Sequence, residues 1–140
     1  MSADSPTDAW AVGDYSVKST GGQETLALHW NGTTWTRVAT PTPKGTVFRF
    51  LNGVAARAPT DAWAVGADSS NNAPITLILH WDGTAWTQVP SPDPGGNNGN
   101  RLFGVAATSA SDAWAVGDYN SRTTSSDLIL HWNGTSWTRS

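Results

Sequence analysis

The sequence contains no cysteine. Disulfide bonds, thiolate metal sites and cysteine nucleophiles are therefore excluded. Positive charge is scarce: eight Lys and Arg stand against eleven Asp and Glu, for a formal net charge of −3. Neutralising a phosphate backbone takes clustered Lys and Arg, so nucleic acid is not expected as a partner. No apolar run is long enough to span a bilayer as a helix, and no membrane partner is expected. The opening stretch MSADSPTDAW has neither a basic region nor an apolar one, and so does not read as a signal peptide. A processed secreted protein would begin the same way, which leaves the compartment open, an extracellular bacterial one included. Runs of strong helix formers are missing as well.

What is present is tryptophan, nine residues in 140, together with fourteen glycines, eight prolines and many Ser, Thr and Asn. That balance reads as all-β with frequent turns. The chain also repeats itself. DAWAVG begins at Asp8, Asp61 and Asp112, and the pair His-Trp falls at His29, His80 and His131, 51 residues apart each time. Trp-Thr recurs at Trp35, Trp86 and Trp137. GVAA precedes the second and third DAWAVG, but not the first.

Each word alternates in the manner of a strand. Asp8, Trp10 and Val12 fall on one face and Ala9, Ala11 and Gly13 on the other. Leu26, Leu28 and Trp30 share a face opposite Ala27 and His29. Large side chains on one side and small ones on the other imply sheets covered on both faces. Asn-Gly or Asp-Gly between two short apolar runs signals a hairpin, with a type I′ turn as the expectation. One repeat is therefore four strands: GVAA, DAWAVG, LILHW and SWTRV. Expected strands lie near 8–13, 25–30, 34–38, 51–56, 61–66, 76–81, 85–89, 102–107, 112–117, 127–132 and 136–139.

Four antiparallel strands recurring at about 50 residues are the signature of a β-propeller blade. The words DAWAVG…LILHWNGTSWT resemble blades of bacterial kelch-like propeller repeats, over residues 7–139. The resemblance implies a small inner strand (GVAA) and a tryptophan in the outer one. The chain departs from kelch in strand two, where VGD or VGA stands in place of a glycine pair. The expected layout is a partial blade of three strands plus a linker in 1–47, a full blade in 48–98 and a third in 99–140. Three blades do not close a ring. The expectation is a homo-oligomer, a dimer of six blades first. A piece of a longer propeller, or a designed repeat, is the rival explanation.

The side chains that could carry chemistry read mainly as structure. The three histidines occupy one repeated position and are spread around a ring, so they cannot share a metal; packed, hydrogen-bonded histidines are the reading. The tryptophans could stack on sugars. All nine sit at repeated strand positions, however, and Trp10, Trp63 and Trp114 read as the most buried. Trp35, Trp86 and Trp137 read as structural too, with some exposure beside the hairpins. Asp8, Asp61 and Asp112 read as turn caps. No catalytic, cofactor or metal residues emerge, and no cofactor is expected. The loops after strand two and the inter-blade linkers differ between repeats and share one side of the ring. Asp14, Tyr15, Lys18, Arg49, Asp118, Tyr119 and Arg122 are the candidates there for a glycan or protein ligand. The function expected is a non-catalytic scaffold or interaction propeller, with a lectin-like propeller as the alternative.

Overall fold

The computed structural model describes residues 1–42, 48–69 and 73–140. Residues 43–47 of the first linker and 70–72 of the second long loop lie outside the described residues. Period-two alternation makes every repeated word a strand, and short turns return each strand along its neighbour. The first sheet holds β1 (Ser2–Ser5), β2 (Asp8–Val17), β3 (Gly22–Trp30) and β4 (Trp35–Val38). The second holds β5 (Arg49–Ala58), β6 (Asp61–Asp68), β7 (Ile75–Trp81) and β8 (Trp86–Gln88). The third holds β9 (Asn100–Ser109), β10 (Asp112–Asn120), β11 (Ser125–Trp132) and β12 (Trp137–Arg139). All three sheets are antiparallel with strands in sequence order. The chain is thus all-β, three four-stranded blades.

Two expectations are corrected. The first blade has four strands, not three, because Ser2–Ser5 pairs with β2 through Ser2↔Trp10, Ala3↔Ala9 and Ser5↔Asp8. Ser-Ala-Asp-Ser carries no apolar pattern; backbone pairing alone makes it a strand. The hairpins between third and fourth strands are four-residue loops rather than two-residue turns. Asn31 Oδ1 accepts N–H bonds from Thr33 and Thr34 at 3.0 and 2.9 Å, and Gly32 takes a φ of +90°. Asp82 and Asn133 do the same in the other blades. The Asn or Asp side chain that opens the loop, accepting from amides two and three residues on, sets this turn.

Strand two also runs further than its alternation suggests. Pairing continues past the glycine to Asp14↔Thr25 and Tyr15↔Glu24, and likewise to Tyr119↔Ser126. Asp14, Tyr15, Asp118 and Tyr119 therefore sit on strands, not in loops.

The blades pack face to face around two indole-rich clusters. Trp10 of blade 1 meets Trp81 and Trp86 of blade 2 at 5.0 and 4.9 Å between ring centroids. Trp63 of blade 2 meets Trp132 and Trp137 of blade 3 at 5.1 and 5.2 Å. The T-shaped geometry of Trp10–Trp86 and Trp63–Trp137 is the one the ring quadrupole favours. Leu51, Leu77 and Leu79 fill the first junction, and Leu102, Leu128 and Leu130 the second. Full burial of each such leucine stabilises by about 1.5–3 kcal/mol. Inner strands tie adjacent blades: Asn52 Nδ2 donates to the carbonyl of Leu102 at 2.8 Å, and the Ala56 N–H donates to Ser2 Oγ at 3.0 Å.

Each blade thus has two unlike faces. One carries Trp, Val, Ile or Ala, and His; the other carries Ala, Leu and the outer Trp. Blade 3 leaves the first kind uncovered, with Trp114, Val116 and Ile129 at 40%, 49% and 42% exposure. Blade 1 leaves the second kind uncovered, with Leu26 and Leu28 half-buried and Trp35 at 42%. Trp10 and Trp63 are buried as expected, whereas Trp114 is not. It occupies the same place in its repeat but lies on the end of the arc.

Candidate functional site

One cluster recurs in every blade at the end with the tight turns. Strand two delivers Asp and Trp, and strand three delivers His opposite them. His80 Nε2 lies 2.8 Å from Asp61 Oδ1, and His131 Nε2 lies 2.7 Å from Asp112 Oδ1; His29 pairs with Asp8 in the same way. Each imidazole also lies against its own strand-two indole, at 4.6, 4.3 and 4.2 Å for Trp10–His29, Trp63–His80 and Trp114–His131. Asp61 takes a further ion pair from Arg57. Asp112 accepts from the Thr108 hydroxyl, which, ahead of His131, holds its carboxyl below the ordinary range. These aspartates bind across the sheet to histidine rather than only capping turns. Among the described residues no group of three His, Cys, Asp or Glu could hold a metal ion.

Beside each cluster stands the tryptophan that ends strand three. Trp30, Trp81 and Trp132 donate their indole N–H to the carbonyls of Pro6, Pro59 and Ala110 at 3.2, 3.0 and 3.1 Å. Their rings are half-buried. At an internal junction, the histidine of one blade and this tryptophan of the next both pack against the buried strand-two indole. His29, Trp10 and Trp81 form one such set, and His80, Trp63 and Trp132 the other.

The long-loop end differs from blade to blade. In blade 1 the Arg37 guanidinium lies 4.1 Å above the Tyr15 ring, the Tyr15 hydroxyl donates to Glu24, and Gln23 Nε2 donates to Asp14 Oδ2 at 3.1 Å. In blade 3 Arg139 lies 4.7 Å above Tyr119 and donates to its hydroxyl at 2.8 Å. Blade 2 has Asp68 and Gln88 at these places. They hold Arg49, through a 2.9 Å ion pair to Asp68 and a 2.7 Å bond to Gln88, with a third donated to the Pro41 carbonyl at 2.5 Å. Arg49 is 1% exposed, and burial, opposed by Asp68, lowers its pKa. Arg49 is therefore a buried tie between a linker and a blade, and does not face a ligand as the sequence suggested. Lys18 and Arg122 are exposed in turns, while Asp118 is half-buried. Tyr15, Tyr119 and Arg49 each engage partners of their own.

A depression of about 390 Å³ lies beside the linker after blade 2, lined by Ile75, Thr76, Gln88, Val89, Pro90, Ser91 and Asp93. Its polar groups are already engaged. The Thr76 and Ser91 hydroxyls lie 2.7 Å apart, and Asp93 Oδ1 accepts the Thr76 N–H at 2.6 Å. It seats the linker; the same tie recurs as Thr25–Thr40 at 2.7 Å in blade 1.

No protein-family model matches the chain, and no curated protein matches it. Among solved structures it is similar to a fucose lectin from Kordia zhangzhouensis, solved in complex with methyl-fucoside. The superposition has a TM-score of 0.55 at 11% identity and covers 99% of this chain and 94% of the lectin chain.

Proposed function

We propose that the chain is a subunit of a non-catalytic, carbohydrate-binding β-propeller that closes its ring with a second copy of itself. Whole-chain likeness to a fucose lectin supports the ligand class. The kelch-like repeat words add support for a binding module. The observation that carries the assembly is the pair of unlike end faces. They are the two halves of a junction that the chain builds twice internally. Trp114 of one copy seats against Trp30 and Trp35 of the next, as Trp63 seats against Trp132 and Trp137. Two copies give six blades, within the usual range; three would give nine.

The glycan platform in this reading is the rim of each junction. It offers a half-exposed indole from one blade (Trp81 or Trp132) and a half-exposed histidine from the other (His29 or His80). Indole faces take up sugar C–H surfaces, and the His–Asp pair supplies polar atoms that can meet hydroxyls. This setting repeats at every junction, whereas Asp14, Tyr15, Lys18, Asp118, Tyr119 and Arg122 vary between blades.

A glycan array followed by titration with methyl-fucoside tests the ligand. Saturable binding whose stoichiometry falls to about a third in Trp81→Ala/Trp132→Ala, which leaves only the two junctions carrying Trp30, in a species of unchanged size, is the expected result. A blank array from correctly assembled protein would overturn the carbohydrate reading. It would leave the scaffold reading, which is favoured by the use of every repeated motif in packing.

A further inference from the structure

The inner strand of every blade carries one extra residue beside the strand-two aspartate. Pairing steps from Ala3↔Ala9 to Ser5↔Asp8 in blade 1 and from Ala56↔Ala62 to Ala58↔Asp61 in blade 2. In blade 3 it steps from Ala107↔Ala113 to Ser109↔Asp112. The residues left over are Asp4, Arg57 and Thr108. A bulge of this kind re-aims its side chain. Here it aims all three at the same group. Arg57 Nε donates to Asp61 Oδ2, and the Thr108 hydroxyl donates to Asp112 Oδ2. The other oxygen, Oδ1, takes the histidine in each blade.

Blade 1 keeps this arrangement and changes its chemistry. The Asp4 carboxyl meets that of Asp8. Asp8 is 8% exposed, and its Oδ1 is taken by His29. Asp8 Oδ2 and Asp4 Oδ1 are buried and have no partner among the described residues. Where the sister blades place a donor, blade 1 places a second acceptor. Two carboxylate oxygens can bond only through a proton; without one, two like charges face each other. Burial, with the bond and the charge of Asp8, raises the Asp4 pKa. His29, on β3, meets Asp8 at the other oxygen. Arg57, on the neighbouring inner strand β5, is paired with Asp61.

We infer that Asp4 and Asp8 share one proton, which fastens the inner strand β1 to blade 1 in weak acid and loosens it on leaving. β1 also offers Ser2 Oγ to the Ala56 N–H of blade 2, so its hold reaches the first junction. Blades 2 and 3 make the same tie with a guanidinium and a hydroxyl, neither of which loses a proton in this range. The response is therefore confined to blade 1. Its sign follows from the direction of the shift. A carboxyl whose folded pKa is raised contributes stability in full below its unfolded value, 3.8. That stability is lost as pH rises through the folded value. The device does not depend on the carbohydrate reading.

Thermal melts of the full chain beside Asp4→Asn and Asp4→Thr, between about pH 3.5 and 7.5, test the shared proton. Asn brings a donor that needs no titration, and Thr copies Thr108. Both variants should melt above the parent by about 2 °C or more at the upper pH, with the gap closing toward the lower one. Amide hydrogen exchange, corrected for its intrinsic pH dependence, locates the effect. Protection at Ser2–Ser5 and Asp8–Trp10 should be about threefold or more higher in acid for the parent, and level in Asp4→Thr. The matching amides of blade 3 should be level in both proteins. A gap that is absent or the same at every pH, or a parent whose β1 protection does not move, would overturn the shared proton. So would millimolar Ca²⁺ that raises the parent's midpoint at the upper pH but not that of Asp4→Asn, since a metal cation would then hold the pair.

Discussion

At the scale of single residues, position in the arc matters more than position in the repeat. Trp63 and Trp114 stand at the same place in DAWAVG, yet one is 1% exposed and the other 40%. Trp63→Ala should cost about 3–5 kcal/mol in a denaturant titration, as large aromatic truncations in cores do. Trp114→Ala should cost the isolated chain far less and show instead as a loss of self-association. The hairpin acids give a second contrast. Asp82 accepts bonds from the Thr84 hydroxyl and from the Ala85 and Thr84 amides, which lower its pKa from 3.8 to about 2. A depressed carboxylate stabilises above its unfolded pKa, and that contribution is lost as pH falls through the folded value. The hairpin of blade 2 should therefore weaken between pH 3.8 and about 2, while those of Asn31 and Asn133 do not titrate. Acid titration of Asp82→Asn beside the parent checks this: the difference between the two should change across that window and be flat above it.

At the scale of elements, the sequence made most strands legible because tryptophan, leucine and alanine alternate strictly in them. What it hid was pairing without pattern. Ser2–Ser5 forms a strand on backbone bonds alone, and Asp14–Val17 extends β2 through residues that read as loop. Arg49 reads as a free cation on the ligand side because nothing local announces that Asp68, Gln88 and a linker carbonyl will surround it. The junction rim was half visible. The repeated His and Trp were plain, but which histidine faces which tryptophan depends on how blades stack. The strand-two glycine is the clearest case of meaning that only pairing reveals. Gly66→Ala should destabilise by more than about 2 kcal/mol, because its Cβ would strike backbone rather than a movable side chain. Gly13→Ala should fall within about 0.5 kcal/mol of the parent. Thermal melts of the two variants separate them.

At the scale of the whole molecule, the proposed ring closure would bury the apolar end faces, worth about 25 cal/mol for each Å² covered. Light scattering on the 14.8 kDa chain should report a dimer, and Trp114→Ala or Trp35→Ala a monomer. A parent that stays monomeric and cooperatively folded at micromolar concentration would contradict the ring. The faces also give the contact a direction. In the proposed contact blade 3 donates and blade 1 accepts, so each copy would behave as a bifunctional monomer in a head-to-tail polymerisation. Cyclisation competes with linear growth, and concentration shifts the balance, since closing a ring is unimolecular and adding a copy is not. A copy carrying Trp114→Ala can still accept but can no longer donate. Doped into the parent at high concentration, it acts as a chain terminator, and its mole fraction sets the mean length of whatever has failed to cyclise.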